Sequence, residues 1–314
     1  MTSSKKWIPA RKSHLHFYDD IPIYYRPPGG SISLYKPAGM SFTNDSLKNK
    51  FSIDEFYIHP DNKLESIDAA QKGFNSELRE KIAHKDITEV KTSLVDLVEE
   101  TLSAPRAGGL KKTPHTVGQM VDGFSTKPSI IRNFAKLSFS DYTTALHSVN
   151  VMALAIGYAY YVGLSENETK KLGLAALLHD VGKTEVPARI LKASRRLTDE
   201  EFELIKSHTT LGFEMLNLYK EDEIRDAAAA SVEHHEKLDG SGYPKGTKEI
   251  SYTGRVLAII DCYEAITNDD RPYRTALKPI HALEMLKKDV DQGKLDKKIF
   301  RDFAYSLTNY KKAV

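Results

Sequence analysis

Cysteine is nearly missing from this chain of 314 residues: Cys262 stands alone. A lone thiol excludes an intrachain disulfide scaffold and a zinc site built on Cys-x-x-Cys pairs. Charge of one sign is missing too. The formal net charge is +2, from 45 basic and 43 acidic residues. A polynucleotide binder carries a strong basic excess or a dense basic stripe. The small cluster Arg106, Lys111 and Lys112 reads instead as solvated linker, so no polynucleotide partner is expected. Long hydrophobic runs are also scarce. The longest, Val151 to Leu164, is short for a bilayer span and contains Gly157, Gly163 and three tyrosines. It reads as a buried core helix, and no membrane insertion is expected. No apolar stretch follows Lys5 and Lys6, so no secretory signal is expected. Together these features indicate a cytoplasmic setting.

What is present is ordinary globular composition. Hydrophobic residues make up 40% and charged residues 28%, and the length allows two domains. The first sixty residues carry strand-like alternation over 21–25 and 31–35, either side of the turn Pro27-Pro28-Gly29-Gly30. Residues 51–59 supply a further short strand. From Leu64 to Leu102 the pattern turns helical, with Leu94, Leu97 and Leu102 at helical spacing. The prolines and glycines between Ser103 and Pro114 suggest a boundary. The expected organisation is a small α+β module at 1–105, a linker at 106–125 and a helical domain at 126–314. In that last region Ser165 with Glu168, and Thr198 with Glu201, form capping boxes. Further helices are expected over 226–236, 254–267 and 279–289.

The chemistry lies in the polar residues of these apolar helices. His147, His179, His208, His234 and His235 are five of the eleven histidines, and Asp180 and Asp261 lie among them. Any one could be an ordinary hydrogen-bonded core residue. Burying all of them without a common partner costs several kcal/mol. A metal centre supplies that partner. Adjacent residues on a helix point about 100° apart, so His179 and Asp180 can address two neighbouring ions, with Asp180 as bridge. Imidazole and carboxylate ligands suit iron, manganese, nickel or zinc.

The ordered series is His147, then His179-Asp180-Val181-Gly182-Lys183, His208, His234-His235, Gly240, Gly242-Tyr243-Pro244, Asp261, and Arg271 to Arg274. It resembles the HD-GYP family, a helical branch of the HD superfamily, from residue 126 to 310. The resemblance implies a mainly α, HD-type helical bundle behind the small α+β module. It implies metal-dependent phosphodiesterase activity on cyclic di-GMP, giving pGpG or GMP through a two-metal-activated hydroxide. Two divalent ions are expected, with iron first and manganese next. His147, His179, Asp180 and Asp261 resemble the ligands of one, and His208, His234 and His235 those of the other. Asp180 and Lys183 resemble catalytic groups. Lys183, Gly242, Tyr243, Pro244, Arg271 and Arg274 resemble substrate contacts. A diguanylate cyclase domain is an implied protein partner.

The chain departs from the family in three places. A third-metal glutamate is replaced by Thr143, so two metals are expected. Glu264 stands where aspartate is usual, which puts a contact there in doubt. One extra residue in Asn268-Asp269-Asp270 precedes Arg271 and bears on the placement of both arginines. These changes motivate an alternative, a catalytically weak cyclic-dinucleotide-binding or protein-docking module. A phosphohydrolase acting on another nucleotide is the other. Cys262 reads as a core neighbour of Asp261 and not as a nucleophile.

Overall fold

The protein is described from a computed structural model, for residues 7–27, 29–42, 53, 55–84, 87–125, 134, 143–193, 195–267 and 276–308. Four short strands, β1 (Ile8–Ala10), β2 (Ile23–Tyr25), β3 (Ser33–Lys36) and β4 (Phe56–Ile58), form one antiparallel sheet in the order β1-β4-β2-β3. Ile23, Phe56 and Ile58 are buried together with Leu15 and Tyr18 of an intervening 3-10 turn. This apolar layer continues into α1 (Lys63–His84) and α2 (Ile87–Thr101), which pack on each other. On α2, Val90, Leu94, Leu97 and Val98 are buried at helical spacing, a single stripe facing inward.

The stretch expected as a linker at 106–125 contains a helix. Residues Thr113–Ser125 form α3, packed against α1 and α5. Val117, Met120 and Val121 are fully buried on its inner face. Pro114 falls in the first turn, where its missing N–H is not needed. Proline and glycine upstream made the stretch look open, yet the apolar core runs through it without a break.

The helical region begins with α4 (Thr144–Val162). Thr143 caps it, with Oγ1 accepting from Leu146 N at 3.1 Å. Every residue from Ala145 to Ala159 is buried. α4 is long and apolar enough to cross a bilayer, but 83% of that window is inside the protein, which makes it the central core helix. α5 (Glu166–Leu178) packs along it, opened by the capping box of Ser165 and Glu168. A 3-10 turn (Val181–Glu185) leads to α6 (Ala188–Leu191), α7 (Asp199–Lys206), α8 (His208–Asn217), α9 (Asp222–Asp226) and α10 (Ala228–Glu233). The Thr198–Glu201 capping box opens α7. A loop then crosses to α11 (Tyr252–Thr267), followed by α12 (Pro279–Asp291) and α13 (Lys297–Ser306). α11 and α13 both rest on α4, so the long apolar helix is the axis around which the others are arranged.

Candidate metal centre

The seven polar residues singled out in the sequence come together at one place. His147 lies in the first turn of α4, and His179 ends α5. His208 starts α8, His234 ends α10 with His235 next in the chain, and Asp261 lies within α11. Asp180 has left the helix, with φ −101° and ψ 11°. It is therefore this break in the backbone, and not helical rotation alone, that aims Asp180 away from His179.

The geometry has two halves. In the first, His147 Nε2 lies 2.9 Å from Asp261 Oδ1 and 3.3 Å from His179 Nε2. In the second, His208 Nε2 lies 3.3 Å from His234 Nε2, and His235 offers a further nitrogen. Asp180 stands between them. Its Oδ2 is 3.3 Å from His147 Nε2 and 3.4 Å from His179 Nε2, whereas its Oδ1 is 3.2 Å from His208 Nε2 and 3.7 Å from His234 Nε2.

The outer ring nitrogens decide what this cluster can hold. His179 Nδ1 faces Ala176 O at 2.7 Å, His208 Nδ1 faces Ile205 O at 2.5 Å, and His234 Nδ1 faces Ala230 O at 3.2 Å. A carbonyl only accepts, so each Nδ1 carries a proton and Nε2 is the nitrogen left to face inward as a ligand. His147 follows the same rule with Glu264 Oε2, 2.5 Å from its Nδ1. Four imidazole Nε2 atoms and two carboxylates thus converge, and Asp180 Oδ1 finds no hydrogen-bond donor. Such a donor set fits divalent cations, with the outward hydrogen bonds fixing ring tautomer and orientation.

The electrostatics agree. Burial pushes the Asp180 carboxyl up, but His179, Lys183, His147 and His208 together hold it well below the usual carboxylate range. Asp261 is likewise held low against burial by His147 and His179. Burial pushes His234 well below the ordinary imidazole value, aided by the neighbouring histidines, and takes His235 down to about 3. Both rings are neutral near pH 7, as ligands must be.

The remaining predicted residues surround this core. Lys183 is ion-paired with Asp180 Oδ2. Gly182 is where α8 touches the 3-10 turn: a Cβ there would lie 1.9 Å from His208 O. The Gly240–Pro244 loop folds back onto His235. Tyr243 N donates to His235 O at 3.2 Å, and the Tyr243 ring stacks on the His235 ring with centroids 4.7 Å apart. Burial, then the charges of Asp261 and Asp180, push the Tyr243 hydroxyl up, so it lies within electrostatic reach of both carboxylates. A Cβ on Gly242 would meet the Glu236 Cα at 2.4 Å, which only glycine avoids. Arg271, Arg274 and the Asn268–Asp270 stretch lie outside the described residues. Cys262 is half-buried and packs at the edge of the core.

Two residues gain a place that the sequence pattern alone did not assign. Glu264 is buried and reaches both His147 and Asn150, whose Nδ2 donates to Oε1 at 2.8 Å. The signal was the i, i+3 spacing from Asp261, which puts both carboxylates on one face of α11. Glu236 is buried beneath the loop and accepts from Lys245 N at 2.7 Å.

Comparisons with known proteins point the same way. Residues 125–299 match the family model for the HD domain. Cyclic di-GMP phosphodiesterase PA4108 of Pseudomonas aeruginosa is 34% identical over 246 residues, covering 74% of this chain and 56% of its own. A cyclic di-GMP phosphodiesterase of Thermotoga maritima is 39% identical over 144 residues, covering 45% of this chain and 39% of its own. The chain thus spans about half the length of these curated relatives. Among solved structures, an HDG"Y"P protein from Bdellovibrio bacteriovorus has a TM-score of 0.65 at 20% identity, covering 97% of this chain and all of the other, and so shares the fold. With its His179-Asp180 pair and its Gly242-Tyr243-Pro244 loop in place at one buried cluster, this chain belongs to the HD domain family and carries the motifs of its HD-GYP branch.

Proposed function

We propose that the chain is a metal-dependent phosphodiesterase that opens cyclic di-GMP to pGpG or GMP. The observation that carries this reading is Asp180, with one oxygen turned to each group of histidines and no proton donor on Oδ1. We assign His147, His179, Asp180 and Asp261 to one divalent cation, and His208, His234 and His235, with the second Asp180 oxygen, to another. The donors, imidazole and carboxylate with no thiolate in the set, suit iron, manganese, nickel or zinc, and the family resemblance puts iron first and manganese second. Bound there, such cations make water acidic enough to supply a nucleophile at neutral pH and polarise phosphate oxygens.

The chain's own groups do the rest. His234 and His235 stay neutral because they are buried, and the carbonyls behind His179, His208 and His234 fix which nitrogen of each ring faces inward. Lys183 is partly open to solvent and neutralises charge on a nonbridging phosphate oxygen. Tyr243 walls the second half and orients a nucleotide against it, and Gly242 lets the loop approach that closely. Arg271 and Arg274 are assigned to phosphate contacts on the resemblance alone. We place this activity in the cytoplasm.

The alternative reading is a binding or docking module, with a diguanylate cyclase domain as partner. The test is turnover by the purified chain, loaded anaerobically with iron or manganese and assayed for metal in the same sample. The panel is cyclic di-GMP, 3'3'-cGAMP and a linear dinucleotide. Cleavage of cyclic di-GMP with two metals per chain is expected. Full metal occupancy with no product from cyclic di-GMP refutes the activity, and failure to bind metal refutes the centre.

A further inference from the structure

A second cluster of polar groups lies far from this chemistry in the chain, where α1 and α3 face each other. A cavity of about 350 Å³ there is lined by Lys72, Asn75 and Arg79 of α1, Lys112, and His115 and Gln119 of α3. The spacing accounts for the convergence. Residues 72, 75 and 79 share one face of α1, and 112, 115 and 119 follow one face of the facing segment. No carboxylate lines the cavity. A neighbouring cavity of about 780 Å³ makes the contrast, since Asp19, Asp20, Glu65 and Asp68 border it.

The donors of the smaller cavity are under-used. Lys72 and Lys112 share a single counter-charge, Asp68. Arg79 makes no ion pair among the described residues. With its amide turned to satisfy its neighbours, Gln119 accepts from His115 Nε2 and Arg79 Nη2, both at 3.3 Å, and donates to Asn75 Oδ1 at 3.1 Å. Asn75 is 5% exposed; its Oδ1 also accepts from Thr116, whereas its Nδ2 has no acceptor at all. A buried amide N–H₂ without an acceptor is costly unless a ligand completes it. Two ammonium groups that share one carboxylate, a guanidinium with no counter-charge among the described residues and a buried amide N–H₂ without an acceptor together suit an oxyanion.

We propose that this cavity is a binding site for the phosphate group of a small ligand, with Arg79 as its principal contact. The volume is at the small end of the range for small-molecule sites, enough for a phosphate with a compact substituent. An occupant would touch α3, which packs on α5, the helix that ends at His179. The site is independent of the metal centre and stands or falls without it.

The metal centre would itself take up phosphate, so the test silences it first. Inorganic phosphate and GMP are titrated calorimetrically, at fixed ionic strength, into the full-length chain carrying His179→Ala. Wild-type chain stripped with a chelator serves as the second background. One phosphate site is expected in both. Adding Arg79→Gln should weaken it about ten-fold or more, the loss of a charge-assisted pair of hydrogen bonds, and Arg79→Lys should recover part of the loss. GMP binding more tightly than phosphate at the Arg79-dependent site would assign a mononucleotide, and equal affinity would assign the phosphate alone. Absence of phosphate binding in both backgrounds, or unchanged affinity with Arg79→Gln, overturns the proposal.

Discussion

The two halves of the metal cluster are built from different chemistry. The first pairs His147 and His179 with a full carboxylate, Asp261, and sets a second carboxylate, Glu264, behind His147. The second consists of three imidazoles, two of them held from behind by main-chain carbonyls. Its one negative charge is the shared Asp180 oxygen. Affinity for a divalent cation rises with ligand charge and with basic partners behind the ligands. The first half should therefore hold its ion tightly and the second should exchange more freely.

The largest effect should come from the residue the halves share. Asp180→Asn is expected to empty both and to lower turnover by about a thousand-fold or more, read by metal analysis and product formation together. Retention of one ion would show that the halves do not depend on a common bridge. Next, a titration of metal-free protein with cobalt should resolve a tight and a weak phase. Asp261→Asn should remove the tight phase and His208→Ala the weak one. If both substitutions erase the same phase, the ranking is wrong. Glu264→Gln keeps the shape but loses the charge, and should weaken only the tight phase, by about 10- to 100-fold.

The smallest effect concerns Lys91, a fully buried lysine on α2 that donates to Phe134 O at 3.1 Å. Burial pulls its pKa from 10.5 down to about 8, with Glu264 opposing. Between those values the unfolded chain holds more protons than the folded one, so this group's contribution to stability rises with pH from about 8 to 10.5. Wild-type Tm should accordingly gain on that of Lys91→Met between pH 8 and pH 10. A constant difference would mean that Lys91 is charged throughout.

The metal cluster was legible because so many histidines and aspartates inside apolar helices are costly to bury without a shared cation, and their order along the chain is distinctive. Strands near Ile23 and Ser33 were legible from alternation, but the order β1-β4-β2-β3 was not, because pairing is decided by a core assembled from distant residues. α3 was hidden by the prolines and glycines before it, although Val117, Met120 and Val121 already spelled a helical stripe. Glu264 looked one methylene too long until the structure showed that it reaches sideways to His147 and does not enter the cluster. The cavity around Arg79 had no signature, since neither α1 nor α3 carries an unusual charge pattern alone.

Gly182 and Gly212 carry a consequence for compliance. A Cβ on Gly182 would strike His208 O at 1.9 Å and Gly212 N at 2.6 Å, and one on Gly212 would lie 3.4 Å from Gly182 N. At these two glycines the segment that follows His179 and Asp180 and the helix bearing His208 therefore meet main chain to main chain. Main-chain contacts are far stiffer than packed side chains, so the separation of the two halves has little room to adjust. Cations held by the two halves would meet a spacing set by main chain and not by side chains that can repack, so ionic radius would bear on occupancy.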